Sequence, residues 1–363
     1  MMPRLLAWQT AVFPVRSLGY RVPLEPATAN FTQSVYFVGD FVCFVLVSAY
    51  AGSPFGRRVL QSAVLLTVVL NLMFAVLDLA TYFTGTTELL AFIRNANYSM
   101  LNDTEVAGFK RIVGSFTEAS SFGACTLGYF AFTMRLWLLG IRPRLAFGLT
   151  VGSLVALLFS TSTTAYVGLA VFLMFAYASA LARVVFWKSN PASVVLVFGL
   201  PLSLAIIGLI IAMNNDYASY VKDLADTFVL NKMATDSGIE RSSWNQQAMQ
   251  NFYDTFGFGV GVGSLRASSF PIAVLANFGI IGTPLFVAFF VTIFYRNAST
   301  GDDGSDAYRS AARWACVGWL ITATTSGALV DLGLPFFALA ALASSRSVKA
   351  YDPSRLRALA PVT

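Results

Sequence analysis

Long apolar runs alternate with short polar segments from residue 34 to residue 344. A helix that crosses a bilayer needs about 20 apolar residues, and fewer where neighbouring helices bury it. On that measure the pattern predicts nine spans. They are Ser34–Gly52, Val59–Phe83, Ala119–Leu139, Leu145–Ser160, Ala165–Leu181, Ala192–Met213, Pro271–Tyr295, Ala311–Thr324 and Leu332–Ser344. The last two are short and could together form one tight hairpin with polar tips. A tenth stretch, Leu5–Val15, has 11 residues and is too short to span alone. The expected fold is therefore an all-α polytopic membrane protein of about nine or ten transmembrane helices, one membrane domain over residues 1–363.

Two longer polar segments interrupt this rhythm, at residues 84–118 and 214–270. The second is the larger and carries its own helical pattern. Tyr217, Tyr220, Val221, Leu224 and Phe228 recur at three- and four-residue spacing within Asp216–Lys232. That spacing predicts an amphipathic helix on the membrane surface. Ser237-Gly-Ile-Glu240 is a capping-box pattern. It predicts a second helix with Trp244, Ala248 and Phe252 on one face, ending at Gly257.

Composition agrees with the pattern. Hydrophobic residues are 56% of the chain and charged residues 12%, against about 25% charge in a soluble domain. Mean hydropathy is +0.67. Such a chain cannot cover a globule with polar surface, which excludes the soluble, disordered and fibrous classes. The 32 phenylalanines suit lipid-facing helices. Histidine is absent, which removes the commonest general base and the usual zinc-ligand sets. No clustered carboxylate set such as D-x-D stands in for it, so neither a metal nor a cofactor is expected. The three cysteines lie in apolar runs without C-x-x-C spacing.

The net charge of +6 points either to an anionic partner or to basic cytoplasmic loops. Position favours the loops, and no nucleic-acid partner is expected. Arg57, Arg58, Arg135, Arg142, Arg144, Arg183, Lys188, Arg296, Arg309, Arg313, Arg346, Lys349, Arg355 and Arg357 fall in one alternating set of short connections, fourteen of the 24 basic residues. The positive-inside rule makes these cytoplasmic, the C-terminus included. The opposite set holds seven, interspersed with acids, and includes both long loops, which are thus external. Nine spans then place Arg4, Arg16 and Arg21 outside, against the same rule. That conflict leads us to expect further spans upstream of this sequence; the alternative is that Leu5–Val15 pairs with a re-entrant segment.

Candidate chemistry gathers on the external side. Asp40, Asp78 and Asp331 lie near external span ends, as functional acids or as helix-packing hydrogen-bond partners. Gly257, Gly259, Gly261 and Gly263 alternate in GFGVGVGS. Their N–H groups could cradle phosphate oxygens, or the glycines could permit a tight extended crossing. Arg241 and Arg266 flank this turn. Arginine binds phosphate bidentately, so the pair suits a diphosphate; interfacial anchoring is the alternative. Arg111 and Glu118, at the mouth of the third span, are either a weak ion pair or a phosphate ligand and a base. The turn Ser160-Thr-Ser-Thr-Thr164 adds a hydroxyl cluster.

The order of these elements resembles the superfamily of O-antigen ligases and Wzy-type polysaccharide polymerases. Arg111, Gly114, Phe116, Glu118 and Ser120 match an R-x-x-G-x-F-x-E-x-S entry into a helix. Leu158–Thr164 is similar to the family's L-S-x-S-R-T turn, with Thr163 where the arginine is expected. Arg241, with Trp244, precedes Gly257–Gly263, and Arg241 and Gly257 fit R-x15-G. Leu275, Gly279, Ile280, Ile281 and Gly282 match L-x-x-x-G-I-I-G. The resemblance covers about residues 111–285. Ser268, followed by Ser269, stands where the ligases carry histidine, which favours the polymerases.

The resemblance implies a metal-independent, inverting glycosyltransferase in the bacterial inner membrane. It would polymerise undecaprenyl-diphosphate-linked oligosaccharide repeats into O-antigen, capsule or exopolysaccharide at the outer face. Flippase and chain-length regulator proteins are implied partners, besides membrane lipid. Arg241 and Arg266 would hold the donor diphosphate, with Glu118 as base and Asp254 behind it. Arg111, Trp244, Gly259, Gly261, Gly263, Ser268 and Ser269 would bind substrate. The alternatives are ligase-type transfer to a lipid or protein acceptor, a non-enzymatic carrier or flippase, and a structural subunit of an envelope complex.

The charge asymmetry makes a direct prediction. Topology reporters fused after Arg58, Arg144, Lys188, Arg313 and the C-terminus should read cytoplasmic. Those fused after Asp103 and Asp236 should read external. A cytoplasmic reading after Asp236 would remove the proposed chemistry from the outer face.

Overall fold

The computed structural model describes residues 2–15, 20–95, 100–101, 104–106, 108–186, 190–214, 218–219, 222, 236–295 and 303–345. The predicted helix at Asp216–Lys232 and the basic C-terminal segment lie outside the described residues.

The chain opens with a short helix α1 (Met2–Leu5) and an antiparallel pair, β1 (Ala11–Val12) and β2 (Val22–Pro23). Long helices follow: α2 (Thr28–Tyr50) and α3 (Pro54–Thr84). A 3-10 turn (Thr87–Leu90) and a second pair, β3 (Glu105–Val106) and β4 (Phe109–Lys110), come next. Then come α4 (Ala119–Leu138), α5 (Pro143–Phe159), α6 (Thr163–Val185), α7 (Pro191–Met213), α8 (Asp236–Asp254), α9 (Phe270–Tyr295), α10 (Asp303–Ser326) and α11 (Leu334–Ser344). Local chemistry sets several ends. Proline occupies the first turn of α3, α5, α7 and α11, where its missing N–H costs nothing. Gly85, at φ 69°, stops α3.

Each predicted span falls on one of these helices. Five of them, α2, α3, α6, α7 and α9, are long and apolar enough to cross a membrane. Their surfaces suit lipid. In α7 the buried residues are Ser193, Leu196 and Val197, while Leu202, Leu204 and Leu209 are exposed. An apolar surface of that extent is stable only against an apolar medium.

Burial explains the less apolar helices. Seventeen of the twenty residues of α4 are buried, so its polar positions face protein. Small residues bring its neighbours close. A Cβ on Gly123 would lie 2.8 Å from that of Ala165, and one on Gly128 would lie 2.7 Å from the Trp319 ring. Such contacts let backbones approach where no hydrophobic effect drives association. The short α11 packs on α10 and α2, with Phe336 and Phe337 fully buried.

The phenylalanines divide between two roles. Many face outward, as expected. Phe37, Phe41, Phe278, Phe286, Phe289, Phe290, Phe336 and Phe337 instead form one internal cluster joining α2, α9 and α11, with centroids 4.9–6.2 Å apart.

Buried charges sit at both ends of the bundle. At one end Arg135 donates to Ser310 Oγ at 2.9 Å and stacks on Trp314, near Arg183. Arg57 donates to the carbonyls of Ala51 and Gly52. At the other end Asp78 is fully buried. Its Oδ1 meets Arg94 at 2.6 Å and Lys110 at 3.5 Å, and its Oδ2 accepts from Val113 and Gly114 N–H at 2.8 and 3.0 Å. The structure gives this acid a role other than the two expected: it is the ion-paired anchor of the segment after α3. At this end too, Asp40 is buried beside Asp331.

Leu5–Val15 is neither a span nor part of a re-entrant pair. It belongs to the β1–β2 hairpin, which docks on α8. Asn251 clamps both main-chain groups of Phe13, at 2.7 and 2.8 Å, and Arg21 meets Asp254 at 3.3 Å.

Removing one member of a buried ion pair strands its partner's charge, at a cost of about 3–5 kcal/mol. Asp78→Asn should therefore sharply lower the unfolding temperature of the purified protein. It should also open residues 84–118 to protease before the helices melt. Wild-type protease resistance in Asp78→Asn would mean that other contacts hold this segment.

Candidate functional site

The segment held by Asp78 continues into the site. Ile112 N–H donates to the carbonyl of Phe159, the last residue of α5, at 3.2 Å. This places Arg111 beside the hydroxyl turn at residues 160–164. The turn is tightly set: Ser160 and Ser162 are buried, and Thr161 adopts φ 43°. A β-branched residue rarely takes that conformation, which costs about 1–3 kcal/mol and persists only where surroundings impose it.

A cavity of 340 Å³ opens between this turn, the first half of α8, the entry to α9 and the last turn of α10. Its size is within the usual range for a small-ligand pocket, about 300–1,000 Å³. Its walls include Thr163, Thr164, Arg241, Asn245, Ser268 and Thr325. Arg241 and Asn245 are one helical turn apart and so share a face of α8. Arg241 Nη1 donates to the Thr325 carbonyl at 3.3 Å, and Asn245 Oδ1 accepts from Ser268 N–H at 2.8 Å. These two bonds join α8 to α10 and to the α9 entry.

The electrostatics are set by two guanidiniums. Burial pushes the Arg111 pKa down from its ordinary value. Glu118 and Tyr166 oppose that shift, and Arg241 adds to it. Arg241 is thus near enough to disfavour the charge on Arg111. Glu118 sits at the N-cap of α4, and its carboxylate accepts from Ser120 Oγ and, at 3.4 Å, from Ser121 Oγ. Two cations, one carboxylate and a wall of hydroxyl and amide groups favour a ligand that carries negative charge and hydroxyls.

Arg241, Ser268 and the hydroxyl turn therefore share the cavity, while Arg111 and Glu118 lie near it without lining it. Arg266 lies to one side, exposed, with its guanidinium 3.9 Å over the Trp244 ring. Trp244 serves as that platform and does not line the cavity; nor does Ser269, whose carbonyl caps Ala273 N–H. Asp254 stands 13 residues beyond Arg241, about 20 Å along the helix. There it faces Arg21 and Gln250, so it does not stand behind Glu118.

Of the two readings of the glycine turn, the structure shows the crossing. All four glycines have φ between 78° and 88°. Helix α9 breaks at Gly279 (φ 66°, ψ −169°), and the turn fills the break. Val260 N–H donates to the Ala276 carbonyl, Gly261 N–H to that of Asn277, and Ile280 N–H to that of Gly257. Gly259 N–H is taken by Thr255 Oγ1 at 3.2 Å. A Cβ on Gly259 would lie 2.7 Å from Gly279 N, and one on Gly263 would lie 2.4 Å from the Ala29 carbonyl. The N–H of Gly259 is thus committed to the Thr255 hydroxyl and that of Gly261 to the Asn277 carbonyl, and neither is offered to an anion.

Asn245, Thr324 and Thr325 were not singled out from the sequence. The one available signal was the hydroxyl run Thr322-Ala-Thr-Thr-Ser326 at the end of a predicted span. The chain matches no protein family, no curated protein and no solved structure.

An anion that binds only the folded state at 100 times its Kd stabilises it by about 2.7 kcal/mol. Pyrophosphate should raise the unfolding temperature of the wild-type protein. It should do so far less in Arg241→Ala and Arg111→Ala. Equal shifts in all three would place the anion elsewhere.

Proposed function

We propose that this chain is a metal-independent, inverting glycosyltransferase of the polysaccharide-polymerase type. In this reading all nine apolar helices cross the bacterial inner membrane, the basic end and the C-terminus are cytoplasmic, and the cavity opens at the outer face. Its donor is an undecaprenyl-diphosphate-linked oligosaccharide, and its acceptor is a hydroxyl of a second lipid-linked unit. Flippase and chain-length regulator proteins would supply and limit the chain.

The observation that carries this reading is Arg241 in a cavity walled by hydroxyl and amide groups, with Arg111 close enough to feel its charge. A diphosphate accounts for the two cations, and a sugar accounts for the walls. The acceptor oxygen attacks the anomeric carbon of the donor as the bond from that carbon to the diphosphate oxygen breaks. The new glycosidic bond forms with inversion, and the acceptor proton passes to Glu118. The lipid diphosphate leaves with the bonding pair. Arg241 and Arg111 stabilise the charge that develops on it, a contribution largest where water is excluded. Arg266, braced on Trp244, guides the diphosphate at the rim.

Arg241 gives the sharpest test. Lysine keeps the charge but loses the two-pronged fork, so Arg241→Lys should fail nearly as badly as Arg241→Ala. A charge-assisted contact of this kind is worth about 1.5–3 kcal/mol, or roughly 10- to 150-fold in rate. Glycan chain length would be compared in a deletion strain carrying each variant at matched protein level. Wild-type chains from Arg241→Lys would show that charge alone suffices. Intact chains from Arg241→Ala would refute the assignment.

A further inference from the structure

A second cavity, of 470 Å³, lies on another side of the α9 break, between α1, the start of α2 and the glycine turn. Its wall includes Arg4, Asn30, Phe31, Val262, Asn277 and Phe278. Asn277 occupies the turn before the break and is 4% exposed. Its Nδ2 donates to the Ala273 carbonyl at 2.7 Å, and its main-chain carbonyl accepts from Gly261. Its Oδ1 is buried and has no hydrogen-bond partner among the described residues. A buried acceptor left unpaired is costly, and since Asn277 is part of the cavity wall, a small shift of its side chain would let an occupant's donor relieve that cost.

The rest of the wall narrows the chemistry. Asn30 is already committed: its amide donates to the Val262 carbonyl and to Ser264 Oγ, and its Oδ1 accepts from Ala27 N–H. It therefore fixes the wall and contributes rigidity. Two phenyl rings supply apolar faces, and Phe31 is 74% exposed. A phosphate would bring an acceptor against Asn277 Oδ1, which is unfavourable. A lipid chain would leave that oxygen unsatisfied. A pyranose ring meets both demands, with its C–H face on a phenyl ring and a hydroxyl donating to Oδ1. Arg4 adds donors for the sugar oxygens at the mouth. The two cavities share one stretch of chain: Val262 lines this one and Ser268 the other, at most about 20 Å apart when extended. An oligosaccharide can bridge that distance.

We propose that the cavity at the α9 break binds a neutral pyranose unit of the glycan, as a site separate from the diphosphate pocket. The inference rests on the glycosyltransferase reading for its choice of glycan, but its test is independent of catalysis. The probes are the methyl pyranosides of glucose, galactose, mannose, rhamnose and N-acetylglucosamine, added to the full chain in lipid nanodiscs. Binding is read by saturation-transfer NMR. At least one probe should bind, with ring C–H protons receiving most saturation. Asn277→Leu should weaken it at least tenfold. Phe31→Ala, at a position too exposed to affect folding, should do the same, and Arg241→Ala should leave it unchanged. Failure of every pyranoside to bind the wild-type protein would overturn the site. So would wild-type affinity in Phe31→Ala, or displacement of spin-labelled lipid from the Phe31 wall with no pyranoside competing. Retained pyranoside binding without any pyrophosphate response at Arg241 would refute the transferase reading and leave this site standing.

Discussion

The buried carboxylate of Asp78 is the constraint on which the site depends. A charge inside a helical bundle is tolerable only if its oxygens are fully engaged. Here the groups that engage it all come from the segment after α3: Arg94, Lys110 and the N–H groups of Val113 and Gly114. Satisfying one acid therefore fixes the chain at residue 94 and at residues 110–114. The residues immediately adjoining the anchor are Arg111 and Ile112, and four residues beyond Gly114 comes Glu118. The position of two proposed functional groups is thus set by the solvation demand of a residue with no part in the chemistry.

The glycine turn meets a related demand. A helix interrupted inside a bundle leaves carbonyls without N–H partners, and such a break survives only where protein supplies them. The turn at 257–261 does so for Ala276 and Asn277. Glycine is required on both sides, because a Cβ on either Gly259 or Gly279 would enter the other backbone. The break gives a wall to one cavity, and the chain leading from it gives Ser268 to the other.

Helix positions were legible in the sequence because apolar run length is a local property. Each predicted span coincides with a helix to within about five residues, except α2 and α10, which begin six residues before Ser34 and eight before Ala311 because their first turns are largely polar. The gathering of Arg111, Glu118, Arg241 and Ser268 was legible through motif order. The glycine turn was ambiguous because the sequence gives the freedom to adopt positive φ but not its use. The break at Gly279 decides that use, and a motif read as continuous helix conceals it. Asn245 and Thr325 went unnoticed because a polar residue at a helix end is ordinary until another helix meets it. The hairpin at Leu5–Val15 depends on Asn251, a partner that no local pattern identifies.

That last contact has a consequence for biogenesis. Phe13 and Asn251 are separated by 238 residues. At a synthesis rate of about 5–20 residues per second, the hairpin waits roughly 10–50 seconds for its dock to emerge. Helices α2 to α7 are made in that interval. The dock between the hairpin and α8 therefore forms only after those six helices have been made. A ribosome stalled before α8 would leave an inserted bundle with its roof missing.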